Sequence, residues 1–166
     1  MIRAAKMVDT PRLVALMVEA QKTSRYAGKG AVDETYAKQL LKELILHNGG
    51  RSSEGTLVNV IEVNGQIEGY HIGMQQRIGL VGTKFEAADA QLYTTAQAPP
   101  FAFVELLEAF CHWAAFTPRI IAIRPGASDI LGKKNLAFMS DIYRRLGFEE
   151  VGTIFEREVM RQEAAA

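Results

Sequence analysis

The feature of this sequence that most constrains its fold is the dipeptide Asn64-Gly65, which stands between two runs rich in β-branched and apolar residues. Asn and Gly both adopt positive φ angles readily, so the pair favours the tight turn that joins two antiparallel strands. The sequence therefore predicts a β-hairpin with strands over residues 56–63 and 66–74. A fold built around this hairpin contains an antiparallel sheet.

The residues after the hairpin predict two more strands, over residues 76–81 and 86–94. Alternation along the second of these strands divides its side chains between the two faces of the sheet. We expect one face to carry Ala88, Ala90, Leu92 and Thr94, and the other to carry Asp89, Gln91 and Tyr93.

The segment before the hairpin predicts a short strand over residues 1–5 and two amphipathic helices. Asp9, followed by Thr10-Pro11, is typical of a helix start, and Asp33 is typical of a second one. A loop over residues 23–31 separates the two helices. The predicted buried residues are Leu13, Leu16, Met17 and Ala20 in the first helix, and Tyr36, Leu40, Leu41, Leu44 and Ile45 in the second.

The second half of the chain predicts a parallel strand pair. An almost wholly apolar helix over residues 101–116 precedes a short apolar strand over 119–124, as expected for a crossover to a strand buried on both faces. A helix over 134–146, ended by Gly147 in a left-handed conformation, and a strand over 148–158 follow. The predicted fold class is α/β (α+β), a mixed, mostly antiparallel central sheet with about four flanking helices.

The 166 residues match one domain, which we place at residues 1–160, with a polar tail at 161–166. Nineteen basic and nineteen acidic residues give a net charge of zero, so no overall field attracts nucleic acid or an anionic membrane. The lone Cys111 forms no internal disulfide, and the first residues lack the apolar run of a signal peptide. We therefore expect a cytoplasmic location, with no nucleic-acid or membrane partner.

A metal site is not expected, because His47, His71 and His112 lack the i, i+4 spacing of a helical zinc site. The chain also lacks a Gly-x-Ser-x-Gly elbow and a phosphate-binding loop of the Walker type.

The run from Tyr143 to Gly152 resembles the Tyr-x-x-Leu-Gly-Phe-x-x-x-Gly signature of the Gcn5-related N-acetyltransferases (GNATs). The element order resembles that superfamily over nearly the whole chain. Further similar residues are Ile-Arg-x-Ala at the start, Gly69-Tyr70, Asp89 to Tyr93 and Trp113-Ala114, and Ser24-Arg25-Tyr26 is similar to small bacterial and phage-encoded members. Leu-Gly-Phe alone is also a general structural solution, in which glycine ends a helix before an apolar residue.

The resemblance implies that the strands over 86–94 and 119–124 splay apart, and that the gap admits the pantetheine arm of acetyl-CoA as co-substrate. Backbone groups of Leu92, Tyr93 and Thr94 would bind this arm as they would a peptide strand. The pyrophosphate would lie at the following helix N-terminus, on the backbone of Phe101, Ala102, Phe103 and Val104. Asn135 resembles an asparagine that the family has early in the next helix, one residue further from the tyrosine than usual.

The implied chemistry is direct attack of an amine on the thioester. Tyr143 would be the general acid for the leaving thiolate, and Asp89 would accept the proton of the amine, usually through water. Each has a structural alternative: Tyr143 as a packed helix residue with its hydroxyl at the surface, and Asp89 as a solvated strand carboxylate. Arg25, Tyr26 and Arg77 are candidates for contacting the acceptor, a small-molecule or protein amine, between the 23–31 loop and the strands over 69–81.

One segment departs from the family. Its Arg/Gln-x-x-Gly-x-Gly/Ala phosphate loop aligns with residues 99–104, where the basic or amide residue is absent and Pro99 and Pro100 remove two N–H donors. Two hypotheses follow: an acetyl-CoA-dependent N-acetyltransferase with an unconventional phosphate loop, or a degenerate GNAT-like binding or structural protein, for example one associated with a phage particle and then located in the virion. A homodimer is compatible with both. The enzyme hypothesis requires that the two splayed strands stay unpaired along part of their length and that Phe101 leaves the gap open.

Overall fold

The computed structural model describes residues 1–50, 55–126, 133–152 and 154, and of residues 133–135 it describes the backbone alone. A 3₁₀ turn, Met7–Asp9, follows the first strand. The strands are β1 (Ile2–Ala4), β2 (Thr56–Val63), β3 (Gln66–Arg77), β4 (Phe85–Thr94) and β5 (Ile120–Arg124). The helices are α1 (Thr10–Thr23), α2 (Glu34–Leu46), α3 (Ala102–Ala115) and α4 (Lys133–Arg145).

The predicted hairpin is confirmed. Asn64 has φ 50° and Gly65 has φ 78°, and Val63 pairs with Gln66 across the turn. Strand β3 is longer than expected and continues to Arg77, so the separate strand predicted over residues 76–81 is wrong. That segment instead forms a turn, in which Leu80 has φ 68° and the Gly82 amide donates to the Ile78 carbonyl at 3.0 Å.

The strands form one sheet in the order β1-β2-β3-β4-β5, antiparallel up to β4 and parallel between β4 and β5. Helix α3 connects the parallel pair, so the predicted fold class and crossover are confirmed. Burial of β5 on both faces was expected and is wrong: Ile121 is 63% exposed. Within the described sheet β5 has one neighbour only, which explains its exposure.

Two helical layers cover the sheet and enclose separate apolar clusters. Leu13, Leu16 and Leu41, from α1 and α2, pack on one face with Val60 and Tyr70 of the sheet. On the other face, α3 and α4 pack against strand residues in two clusters, whose fully buried or nearly buried members include Leu57, Ala87, Leu106, Leu107, Phe110 and Tyr143. The sheet is therefore a central layer, and its parallel pair lies under α3.

The start of α1 differs from the prediction. Asp9 makes no side-chain cap for α1; its carboxylate accepts a hydrogen bond from the Lys6 amide at 2.7 Å and so closes the 3₁₀ turn before the helix. The same carboxylate binds the Arg3 guanidinium at 2.7 and 3.0 Å, and the Arg3 Nε donates to Glu62 at 2.6 Å. This bidentate ion pair outcompetes the local cap and ties β1 to both β2 and α1.

Helix α2 begins as predicted, because the Asp33 carboxylate accepts a hydrogen bond from the Tyr36 amide at 2.9 Å. Tyr36 itself was predicted to be buried and is 60% exposed. The buried stripe of α2 instead consists of Ala37, Leu41 and Leu44, spaced by four and three residues.

The end of α4 is the left-handed cap that the sequence predicted. Gly147 has φ 85°, its amide donates to the Arg144 carbonyl at 3.1 Å, and the Phe148 amide donates to the Tyr143 carbonyl at 3.0 Å. This is the double hydrogen bond of a Schellman motif, and the rings of Tyr143 and Phe148 lie 5.7 Å apart, as its apolar contact requires. The strand predicted over 148–158 is not formed by the described residues 148–152 and 154, and the rest of it, like the tail at 161–166, lies outside the described residues.

Candidate functional site

The parallel strands β4 and β5 pair along only part of β4. Their register runs from Phe85↔Ile120 to Ala88↔Arg124, and β4 then continues to Thr94 with no described partner on that side. We call the gap beside residues 89–94 the β4 opening. The resemblance implies a splay between these two strands, and within the described residues their pairing ends at Ala88, one residue before Asp89.

A β-bulge in β4 sets the direction of the side chains at the start of this opening. Ile72 pairs with Gln91 but Gly73 pairs with Asp89, so Ala90 is an extra, unpaired residue. The bulge breaks the simple alternation, and the expected grouping of Asp89 with Tyr93 is therefore wrong. Asp89 points to the α3 and α4 side, where Leu92 also packs, whereas Tyr93 packs on the α1 and α2 side.

The backbone of β4 presents alternate residues to the opening. The Thr95 amide donates to the Glu68 carbonyl at 2.8 Å. In an antiparallel pair every second residue is hydrogen-bonded to the neighbouring strand, so Thr95 and Tyr93 are both at positions bonded to β3. The amides and carbonyls of Leu92 and Thr94 consequently point the other way, into the β4 opening. Of the three residues predicted to bind the donor arm, Leu92 and Thr94 have this orientation and Tyr93 does not.

The side chain of Tyr93 has a different environment. Its hydroxyl donates to the Glu19 carboxylate of α1 at 3.1 Å, and burial together with this carboxylate raises the pKa of Tyr93 to about 12. Arg12, at the start of the same helix, donates to the Ile67 carbonyl at 3.0 Å. Helix α1 therefore runs from the Thr94 end of β4 toward its Asp89 end.

Asp89 and Tyr143 meet at one backbone residue, Gly126, which follows β5. The Gly126 amide donates to the Asp89 carboxylate at 2.7 Å, and the Tyr143 hydroxyl donates to the Gly126 carbonyl at 3.3 Å. The two predicted catalytic residues thus come from β4 and α4 and are brought together at the start of the β4 opening. Sequence reasoning missed Gly126, because its part is played by its peptide groups, which leave no side-chain signal.

Burial changes the acidity of both side chains. It raises the pKa of Asp89 to about 6, although the hydrogen bond from Gly126 opposes the change. Burial also raises the pKa of the Tyr143 phenol well above its ordinary value, and the nearby Asp89 carboxylate raises it further. Tyr143 is only 7% exposed, so its hydroxyl does not stand at the surface, and Asp89 is a part-buried carboxylate rather than a fully solvated one.

The N-terminus of α3, the predicted phosphate site, offers few donors. The Ala102 amide already donates to the Pro99 carbonyl at 2.9 Å. The first hydrogen bond of the helix is donated by the Glu105 amide to the Phe101 carbonyl at 3.0 Å. The amides of Phe101, Phe103 and Val104 have no hydrogen-bond acceptor among the residues that the structure describes. The side chain of Phe101 is 70% exposed, so it does not fill the β4 opening.

The remaining predicted residues are spread more widely. The loop with Arg25 and Tyr26 begins about 7 Å beyond Glu19 along the axis of α1, toward the level of Asp89. Arg77, in contrast, donates to the Gly82 carbonyl at 2.8 Å and lies over the Phe85 ring at 5.0 Å, where β4 is still paired with β5. The structure therefore does not bring Arg77 to the opening. Asn135 lies in the first turn of α4, and its side chain is outside the described part of the chain.

Two cavities lie beside α1, on the opposite face of the sheet from Tyr143. One of about 270 Å³ is formed by the α1–α2 loop with the ends of both helices, and one of about 450 Å³ lies between the two helices. They share the lining residues Val18, Lys22 and Glu34. Neither is lined by Asp89, so these cavities are not the β4 opening.

Among the residues that the structure describes, no three His, Cys, Asp or Glu side chains group closely enough to hold a metal ion. None of the described helices has the length and apolar character needed to cross a membrane.

No protein-family model matches this chain, and no curated protein matches it. Solved structures do. A ribosomal-protein-alanine N-acetyltransferase from Brucella melitensis is 23% identical with a TM-score of 0.67, covering 92% of this chain and 86% of its own. AAC(6')-Iy, bound to the bisubstrate analogue CoA-S-monomethyl-acetylneamine, is 13% identical with a TM-score of 0.68, covering 96% and 98%.

Glucosamine-6-phosphate N-acetyltransferase from Arabidopsis thaliana is 12% identical with a TM-score of 0.66, covering 95% of this chain and 97% of its own. These matches extend over almost the full length of both partners. Together with the sheet order and the parallel β4–β5 pair, they show that this chain has the GNAT fold.

Proposed function

We propose that this protein is an N-acetyltransferase, which moves the acetyl group of acetyl-CoA to an amine by direct attack. The observation that carries the proposal is the meeting of Asp89 and Tyr143 at Gly126, where β4 loses its parallel partner. An open strand edge, a carboxylate and a phenol at its start are the groups that such a transfer needs.

The proposed site of the pantetheine arm is the β4 opening. The arm carries two amide groups, and the free amides and carbonyls of Leu92 and Thr94 would bind them as they bind a neighbouring strand. When bound, the thioester would supply the acyl group and a thiolate leaving group. The pyrophosphate fits poorly, because the turn before α3 has Pro99 and Pro100 in place of N–H donors.

Asp89 is the proposed general base. A carboxylate with a pKa of about 6 is ionised at neutral pH and still binds a proton more strongly than an ordinary aspartate. It therefore accepts a proton from the attacking amine, directly or through one water. The Gly126 amide holds the carboxylate in place during this transfer.

Tyr143 is proposed to stabilise the leaving sulfur by donating a hydrogen bond. The phenol remains protonated at neutral pH because burial raises its pKa. The same shift makes complete proton transfer to a thiolate unfavourable, since a thiol has a pKa of about 8.5. The present bond from Tyr143 to the Gly126 carbonyl is long at 3.3 Å, so the hydroxyl loses little by turning toward another acceptor.

The acceptor is an amine of a small molecule or of a protein, entering on the α1 side past the loop with Arg25 and Tyr26. The names of the similar structures mention a ribosomal-protein alanine and glucosamine 6-phosphate, which supports amines of both kinds. The cytoplasmic location, the phage-type origin and the homodimer stay predictions, which fractionation and sedimentation velocity would test.

The experiment is to follow thiol release from acetyl-CoA with a panel of primary amines. We expect Asp89→Asn to lower the rate by about a hundredfold or more, as loss of a general base does, and Tyr143→Phe to lower kcat more than it changes KM. Asp141→Asn, at an exposed carboxylate on α4, is the matched control and leaves the rate unchanged. Amine-dependent release that is equal in all four proteins contradicts these roles.

The second candidate is a GNAT-fold protein that binds a partner and transfers nothing. It is favoured by the prolines at the start of α3, which remove donors from the phosphate site. The outcome that supports it is the absence of any rise in Tm when acetyl-CoA is added at millimolar concentration, since a ligand at about 100 times its Kd stabilises a protein by about 2.7 kcal/mol.

A further inference from the structure

We infer that the donor is held by its pantetheine arm alone and that the nucleotide end of coenzyme A contributes little to binding, so that the protein accepts pantetheine thioesters whatever carries them. This inference rests on the proposed function and specifies its donor. It follows from three features of the mouth of the β4 opening, where the loop after β4 enters α3.

The first feature is the shortage of N–H donors at the start of α3. Pro99 and Pro100 have none, and the Ala102 amide is occupied by the Pro99 carbonyl at 2.9 Å. The amides of Phe101, Phe103 and Val104 remain without a described partner, and three neutral donors leave part of a diphosphate's charged oxygens unbound. A diphosphate, with its several charged oxygens, needs a denser cradle of donors.

The second feature is charge. The chain has no lysine or arginine anywhere between residues 85 and 118, a segment that includes β4, the loop after it and all of α3. The only charged residue in the first turn of α3 is Glu105. A carboxylate there repels phosphate and opposes the favourable field of the helix N-terminus.

The third feature is Phe101, whose ring is 70% exposed at the N-cap position of α3 and makes no cap for the helix. Strongly hydrated phosphates gain nothing from an apolar ring. The pantetheine arm, however, ends in a gem-dimethyl group next to the position where the nucleotide is attached. An aromatic ring at the mouth suits this apolar end of the arm.

The test compares the binding of pantetheine and of coenzyme A by calorimetry, at low and at high salt. We expect Kd values that agree within a factor of about three and change little with salt, because no charge is recognised. Coenzyme A binding tighter by about a hundredfold or more, as two charge-assisted hydrogen bonds would make it, overturns the inference. In that case the proposed transfer stands.

Other outcomes separate the two proposals. If neither compound binds, both fail. If both bind equally but no amine becomes acetylated from either acetyl thioester, the inference stands and the transfer proposal fails.

A gain-of-function variant makes the comparison sharper. Phe101→Lys places a cation at the exposed N-cap position of α3 and removes the apolar ring, so we expect it to tighten the binding of coenzyme A and to weaken the binding of pantetheine slightly. Phe116→Lys, at an exposed phenylalanine just beyond the other end of α3, is the matched control and changes neither. Equal tightening of coenzyme A by both variants, a nonspecific charge effect, counts against the assignment of Phe101 to the donor mouth.

Discussion

Asp89 owes its properties to its place at the end of the paired part of β4. Burial raises its pKa, while the amide of Gly126 keeps the ionised form accessible. A resemblance could point to Asp89 and Tyr143, because their side chains are read directly from the sequence. It could not point to Gly126, whose two peptide groups connect them, since any residue supplies an amide and a carbonyl.

The raised pKa of Asp89 predicts the pH dependence of the reaction. The base must be ionised, so we expect kcat/KM to fall about tenfold per pH unit below the Asp89 pKa of about 6 and to be level above it until the amine or thiol titrates. A pH–rate profile of the native protein measures this limb. In Asp89→Asn the residual rate should show no such limb, and its persistence in that variant would assign the pKa to another group.

At the scale of elements, the β4 bulge is the feature that period-two alternation could not predict. Gly73, opposite the bulge, lies against the ring of Phe110 from α3, which also packs on the buried, neutral ring of His71 at 4.7 Å. The extra residue in β4 is therefore matched by tight packing on the partner strand. Sequence shows a glycine in a strand but not the ring that it admits.

This packing makes Gly73→Ala destabilising. A Cβ at Gly73 would lie only 2.5 Å from the Phe110 ring, so the ring or the strand must shift, at a cost of about 1–3 kcal/mol. Gly30→Ala is the control, because a Cβ there meets nothing within 4 Å, and we expect it to be neutral. Urea unfolding of both variants measures the difference, and equal stability of the two would show that Phe110 is not held against the sheet in this way.

The start of α1 shows a similar limit of sequence reasoning. Asp9 looks like an N-cap, yet its carboxylate is used by Arg3, which is six residues away in sequence and belongs to β1. The local pattern is typical of a cap, but it does not show that a bidentate ion pair takes the same oxygens. The caps at Asp33 and Gly147, which have no such competitor, were predicted correctly.

Arg3→Ala should therefore destabilise the protein by about 3 kcal/mol, since it leaves the buried Asp9 carboxylate without its cation. Arg3 lowers the pKa of Asp9 below its ordinary value of 3.8, so this stability is present above that pH and is lost as the pH falls through the lowered pKa. The difference between native and variant in urea should shrink in acid. Arg144→Ala removes two exposed ion pairs, with Asp141 and Glu150, and is expected to change stability by less than about 1 kcal/mol.

At the scale of the whole molecule, the order of the predicted elements was enough to predict the fold. The solved structures that match this chain have the same fold. A hairpin signal, a crossover helix and two caps were enough to predict a mixed sheet with one parallel pair. The width of the β4 opening, the exposure of β5 and the faces of β4 depend on where pairing stops, and pairing is a property of two distant segments. The acceptor depends on loops whose residues carry no specific pattern.

The most direct test of the proposed function is hydrogen exchange at the backbone of β4, measured residue by residue by NMR. In the free protein we predict fast exchange at the Leu92 and Thr94 amides, which face the opening, and slow exchange at Tyr93, which is bonded to β3. Adding coenzyme A or pantetheine should protect Leu92 and Thr94 and leave Tyr93 unchanged. Slow exchange at Leu92 and Thr94 without a ligand, or no protection when it is added, would contradict a donor site between β4 and β5.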